Sequence, residues 1–212
     1  MNVLILGSAG REAAICQAFL RQSEPVSVSV MPGNPGMAGA TCVPLLPNHT
    51  AIAAWCVQHH INLVVIGSET FLADGLVDVL RTHDISVFGP TQAAALLESS
   101  KLFMKQVCAA HIGKLGVVKR LAVPTAAWNH FNQRTLADGI SYIHQQPLPV
   151  VVKADGLASG KGVVVAHTYD EAWRFLCDCV VHDTLGPAGQ KVIVEEGLVG
   201  EEMSMFFIIS RT

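Results

Sequence analysis

The chain has little charge. Asp, Glu, Lys and Arg make up 15% of its 212 residues, the formal net charge is −3, and half of the residues are hydrophobic. So low a charge with so many apolar side chains allows a substantial core and argues against disorder. The slight acidity excludes a nucleic-acid binder that works through a general basic surface. No apolar run reaches the roughly 18 residues that a membrane span requires. The opening Met1-Asn2-Val3-Leu4-Ile5-Leu6-Gly7 lacks the basic segment and cleavage site of a secretory signal, and reads as a β-strand. The expectation is a cytoplasmic protein with neither membrane nor nucleic acid among its partners.

Metal-ligand spacing is missing as well. Of the six cysteines (Cys16, Cys42, Cys56, Cys108, Cys177, Cys179) only the last two are close, and on a helix they point about 200° apart. His59 and His60 would diverge in the same way, and the remaining histidines show no paired zinc spacing. Buried thiols in a reducing compartment are the expectation. Repeats and low-complexity segments are absent.

What is present is an alternation of strands and helices. Residues 3–6, 26–30, 63–66 and 87–88 read as largely apolar strands. Residues 11–21, 50–59 and 74–82 read as helices, the second capped by Asn48 or Thr50. This pattern implies a parallel sheet covered on both faces. Ligands of such sheets bind outside the carboxyl ends of the strands. Three loops fall there: Gly7-Ser8-Ala9-Gly10-Arg11-Glu12, Pro32-Gly33-Asn34 and Gly67-Ser68-Glu69. The first is a poor dinucleotide fingerprint, with Ala9 inside it and Glu12 where the third glycine should fall. A phosphate on the N-terminus of helix 11–21, with Arg11 adding charge, is compatible with it.

The second half carries a helical region over 92–110 with Lys101 and Lys105 on one face. Helices follow over 136–146 and 170–179, the latter with Thr168 as N-cap and Glu171 three positions on. Strands are expected over 192–196 and 203–209. The most informative stretch is Val150-Val151-Val152-Lys153-Ala154-Asp155-Gly156, continuing through Leu157-Ala158-Ser159-Gly160-Lys161-Gly162 to Val165. A lysine buried at a strand end needs an anion nearby. The glycines let a backbone approach that anion and present its N–H groups. A polyphosphate is the obvious candidate; a plain hairpin with a Gly/Ser turn and two solvated lysines is the alternative.

Lysine-bearing helix, strand ending in lysine, glycine loop, helix, and strand ending in two glutamates: this order resembles an ATP-grasp nucleotide site. The chain as a whole resembles the glycinamide ribonucleotide synthetase (phosphoribosylamine–glycine ligase) family. The matching stretches, in the family's order, are 7–12, 32–34, 67–72, 88–90, 100–101, 124–125, 153–162 and 195–204. Only 153–162 is specific by itself. The resemblance implies a Rossmann-like domain over 1–91 and a helical linker over 92–124 with an insertion near 112–120. A glycine-lidded ATP-grasp subdomain over 125–195 and the start of a further ATP-grasp part over 196–212 complete the implied α/β architecture.

It also implies site residues. Lys101 and Lys153 would contact the phosphates of ATP, and the loop of Gly156, Ser159, Gly160, Lys161 and Gly162 would fold over them. Glu195, Glu196 and Leu198 would border the adenine, and Glu202 would reach the ribose. Gly10, Arg11, Glu12, Asn34 and Glu69 would serve phosphoribosylamine. The implied reaction joins phosphoribosylamine and glycine at the expense of ATP, through a glycyl phosphate, in purine biosynthesis. The implied Mg²⁺ would find its ligands, like the catalytic residues, only in sequence beyond residue 212. The 212-residue chain by itself is therefore expected to be inactive. Ala13, Ser68 and Phe71 depart from the family pattern, which has a histidine and two prolines there; weaker sugar-phosphate binding is the expectation. Two other readings stand beside this one: another ATP-grasp carboxylate–amine ligase, and a fragment that binds nucleotide or sugar phosphate without turnover.

Overall fold

A computed structural model of the chain describes residues 1–111, 126–205 and 208. The expected insertion over 112–120 lies outside them. The chain forms two compact units, Met1–Val107 and Cys108–Thr212.

In the first unit the strands are β1 (Asn2–Gly7), β2 (Ser27–Pro32), β3 (Thr41–Cys42), β4 (Leu63–Ile66) and β5 (Ser86–Phe88). They form one parallel sheet in the order β3-β2-β1-β4-β5. The helices are α1 (Gly10–Leu20), α2 (His49–Gln58), α3 (Glu69–Ala73), α4 (Leu76–Arg81), α5 (Gln92–Ser99) and α6 (Lys101–His111). The apolar strands are continuous because the sheet buries both faces. Val3, Ile5, Val28 and Val30 pack with Cys16 of α1, while Leu4, Leu6 and Met31 pack with Ile52, Cys56, Leu76 and Leu80 of α2 and α4. Val3 through Leu6 are fully buried.

Local chemistry sets the element ends. The Asn48 side chain accepts from the Ala51 N–H at 2.8 Å and caps α2. The helix expected over 74–82 is α4 alone and starts only at Leu76, because Gly75 adopts a left-handed φ of +84° that separates it from α3. The helix expected over 92–110 is broken into α5 and α6. Ser100 is extended, and its Oγ accepts from the Phe103 N–H at 3.1 Å, so α6 starts afresh at Lys101.

In the second unit β6 (Trp128–Phe131), β7 (Val150–Ala154), β8 (Val163–Ala166) and β9 (Val192–Glu196) form an antiparallel sheet in the order β6-β9-β7-β8. Helices α7 (Leu136–Gln145) and α8 (Tyr169–Val180) cover one face of it. Val150, Val152, Ala154, Val192 and Val194 point to these helices and are fully buried. By the two-residue period of a strand, Val151, Lys153 and Glu195 belong to the opposite face. The Thr168 Oγ1 caps α8 by accepting from the Glu171 N–H at 3.2 Å. The strand expected over 203–209 is irregular and exposed at Met203, Ser204 and Met205; its remainder, apart from Ile208, lies outside the described residues. Among the described residues, no helix is long and apolar enough to cross a membrane.

Candidate functional site

Two clusters carry chemistry, one in each unit. In the first, β1 lies between β2 and β4, so the chain reverses its winding at β1/β4, where open parallel sheets bind ligands. The loops after β1, β2 and β4 meet there. The Gly33 N–H donates to the Gly7 carbonyl at 3.1 Å, and the Asn34 side-chain amide donates to the Ser8 carbonyl at 2.7 Å. The Asn34 Oδ1 accepts from the Gly36 N–H at 2.8 Å, which closes the second loop on itself.

Glu12 is the least exposed charged residue of this cluster, at 2%. Its Oε2 accepts from the Ala9 N–H at 2.7 Å and its Oε1 pairs with Arg11 Nε at 3.3 Å. The Arg11 Nη2 donates to Glu69 Oε1 at 2.8 Å, and these two side chains are 57% and 44% exposed. The hydrogen bond to Glu69 raises the Arg11 pKa, against the opposing effect of partial burial. Partial burial pushes the Glu69 carboxyl up, but a backbone hydrogen bond and the Arg11 guanidinium outweigh it and hold the group below its ordinary value. Thus Gly10, Arg11, Glu12, Asn34 and Glu69 are brought to one edge of the sheet. Gly7 and Gly67 belong with them, because a Cβ on either would collide with the Glu12 side chain. Their place at the ends of β1 and β4 was the sequence signal for them.

In the second unit, the anion that the strand-end lysine requires is a carboxylate of the protein. Lys153 Nζ donates to Glu195 Oε2 at 2.9 Å. Glu195 is 5% exposed and Lys153 28%. The glycine loop is the connection of the β7–β8 hairpin. Its base is fixed: the Ala154 N–H donates to the Gly162 carbonyl at 2.7 Å, and the Gly156 N–H donates to the Ala188 carbonyl at 3.1 Å. A Cβ on Gly156 would come within 2.7 Å of the Ala188 backbone. The Gly156 N–H is thereby committed within the protein. At the exposed tip Ser159 and Gly160 take left-handed φ values of +48° and +81° beside Lys161, with open space around Gly160.

The hinge after β9 is held as well. The Glu196 N–H donates to the Ala127 carbonyl at 2.9 Å, and the Gly197 N–H donates to the Pro149 carbonyl at 3.0 Å. Leu198 and Glu202 follow as exposed residues. Lys101 opens α6.

A Rossmann-like parallel sheet with loops gathered at its carboxyl edge, then an antiparallel sheet with a strand-end lysine and a glycine hairpin, defines an α/β architecture of the ATP-grasp ligases. The family model of the phosphoribosylglycinamide synthetase N domain matches residues 1–98, and that of the same synthetase's ATP-grasp (A) domain matches residues 99–212. The chain belongs to the phosphoribosylglycinamide synthetase family.

Phosphoribosylamine–glycine ligase of Mesorhizobium japonicum is 44% identical over 214 residues, which cover 100% of this chain and 47% of that protein. The ligase of the same name from Halalkalibacterium halodurans is 38% identical over 211 residues, covering 99% and 46%. The crystal structure of phosphoribosylamine–glycine ligase from Thermotoga maritima superposes with a TM-score of 0.70 at 29% identity, over 95% of this chain and 45% of that one. D-alanine–D-alanine ligase from Bacillus anthracis shares the fold alone, at a TM-score of 0.57 and 13% identity over 94% of this chain and 57% of that one. The chain spans about half the length of the curated relatives it matches.

Proposed function

We propose that this chain carries the nucleotide-phosphate and sugar-phosphate sites of a phosphoribosylamine–glycine ligase. The observation that carries the reading is the Lys153–Glu195 pair at the root of the glycine hairpin, on the sheet face opposite α7 and α8. Glu195 holds the ammonium in place, and Lys153 is the more exposed partner, so the cation is presented and the carboxylate retained. Lys153 would meet the phosphates of ATP. The tip residues Ser159, Gly160 and Lys161, whose segment ends at Gly162, would close over them and exclude water. Glu195, Glu196 and Leu198 would border the adenine and Glu202 the ribose. ATP supplies the γ-phosphoryl group that turns the carboxylate of glycine into an acyl phosphate, from which the amine of phosphoribosylamine displaces phosphate to form the amide.

On the sugar-phosphate side, Arg11 and Asn34 would hold the phosphorylated sugar, in a cluster that Gly10, Glu12 and Glu69 complete. Among the described residues, no group of three or more His, Cys, Asp or Glu side chains is arranged to hold a metal.

Calorimetry with ATP and with ribose 5-phosphate, each titrated alone into the purified chain, tests the reading. Saturable binding of both, with ATP binding weakened at least tenfold in Lys153→Met, supports it. Absence of both isotherms in the folded chain would contradict it.

A further inference from the structure

We infer that Glu12 is a positioning residue of the sugar-phosphate cluster: it shapes the Gly7–Gly10 turn and aims Arg11, and does not itself touch the ligand. This rests on the reading that the cluster takes a phosphorylated sugar.

Burial divides the cluster into two kinds of residue. Arg11 and Glu69 open to solvent, whereas Glu12 is sealed at 2% exposure. Both Glu12 oxygens are spent inside the loop, one on the Ala9 N–H and the other on Arg11 Nε. Residue 9 is the N-cap of α1, but alanine has no acceptor with which to cap it. Glu12, at the third helical position, supplies the reciprocal half of the capping interaction from within the helix.

The side chain also takes up the space that two glycines leave. A Cβ on Gly7 would lie 2.6 Å from Glu12 Cγ, and one on Gly67 would collide with the carboxylate. Glu12 therefore wedges between the ends of β1 and β4, at the point where the sheet reverses its winding. Its hold on Arg11 is directional. A guanidinium is planar, so a carboxylate on Nε and another on Nη2 fix the plane of the whole group. Those two contacts occupy two of its five N–H donors. A phosphate at the loop would meet an arginine already oriented, with little ordering left to do.

A double-mutant cycle tests this on the intact chain, with ribose 5-phosphate as the probe. Glu12→Gln preserves volume but releases the arginine, and should weaken binding about tenfold, as expected for one charge-assisted hydrogen bond acting indirectly. Arg11→Ala should weaken it at least as much. Adding Glu12→Gln to Arg11→Ala should change binding less than about twofold, because the glutamate acts through the arginine. ATP binding should be the same in all four proteins. Additive losses, or wild-type affinity in Glu12→Gln, would overturn the inference and leave the sugar-phosphate reading standing. Failure of the wild-type chain to bind the probe would overturn both.

A second measurement needs no variant. In the ¹³C,¹⁵N-labelled wild-type chain, ribose 5-phosphate should move the Arg11 guanidinium resonances while the Glu12 side-chain carboxyl carbon stays near its starting shift. A Glu12 displacement as large as that of Arg11 would mark it as a direct ligand, and the inference would fail.

Discussion

Lys153 and Glu195 lie 42 residues apart in sequence and 2.9 Å apart in space, on adjacent strands β7 and β9. The pair explains how a lysine can end a β-branched strand in the protein alone. A carboxylate at the end of a second β-branched strand neutralises it. A pair so poorly exposed on its acidic side is costly to break from one end.

Lys153→Met should therefore destabilise the second unit by about 1–3 kcal/mol, because it removes the ammonium that donates to a nearly buried carboxylate. Combining it with Glu195→Leu should restore more than half of that loss, since apolar replacement of both partners removes both charges of the pair. Urea unfolding followed by tryptophan fluorescence measures both. A double variant less stable than Lys153→Met would contradict this account of the pair.

Gly67 and Gly10 should respond in opposite ways to the same substitution. Gly67→Ala drives a methyl into the Glu12 carboxylate and should cost about 1–3 kcal/mol, as overpacking does. Gly10→Ala meets nothing within 4 Å in the first turn of α1, and should be neutral or stabilising by up to about 1 kcal/mol. It should still weaken ribose 5-phosphate binding by crowding the loop. Thermal unfolding and calorimetry on the two variants separate the effects.

The cysteines should sort by burial. Burial pushes the Cys56 and Cys179 thiols up to about 11, against an ordinary value of 9.0. Cys42 and Cys108 are exposed. A thiol-specific reagent at neutral pH should label Cys42 and Cys108 quickly, and Cys56 and Cys179 only on unfolding. Above pH 9 the unfolded chain loses these two protons before the folded one does. Their contribution to stability is complete below about pH 9 and is lost as pH rises through about 11. Stability of the Cys56→Ala/Cys179→Ala variant should fall less over that interval.

Much of this was legible in the sequence, for identifiable reasons. The β1 and β4 strands are apolar on both faces, β2 repeats valine at every second position, and Asn48 and Thr168 announce α2 and α8 by their capping chemistry. The short β3 and the edge strand β6 escaped, because Trp128-Asn129-His130-Phe131 alternates too weakly and Thr41-Cys42 is too short to show a period. The break at Ser100 was hidden inside a run that is helical on both sides. The requirement of Lys153 for an anion was readable, and the identity of that anion was not. Glu195 carries the same signal, a charge closing a β-branched strand, but only strand order makes the two neighbours. In the first unit the glutamate in place of a third glycine excluded a dinucleotide fingerprint. Its positive role, filling the space left by Gly7 and Gly67, required the register of β1 against β4.

A nucleotide-phosphate loop in the β7–β8 hairpin rooted at Lys153 must respond to ATP at its own amides. The direct measurement is a titration of ATP into the ¹⁵N-labelled chain, followed amide by amide. Saturable shifts concentrated at residues 153–162 and 195–198, reproduced by ADP and absent with adenosine at the loop, are the expected result. A loop that stays silent while ATP binds elsewhere, or shifts equally with adenosine, would contradict the claim.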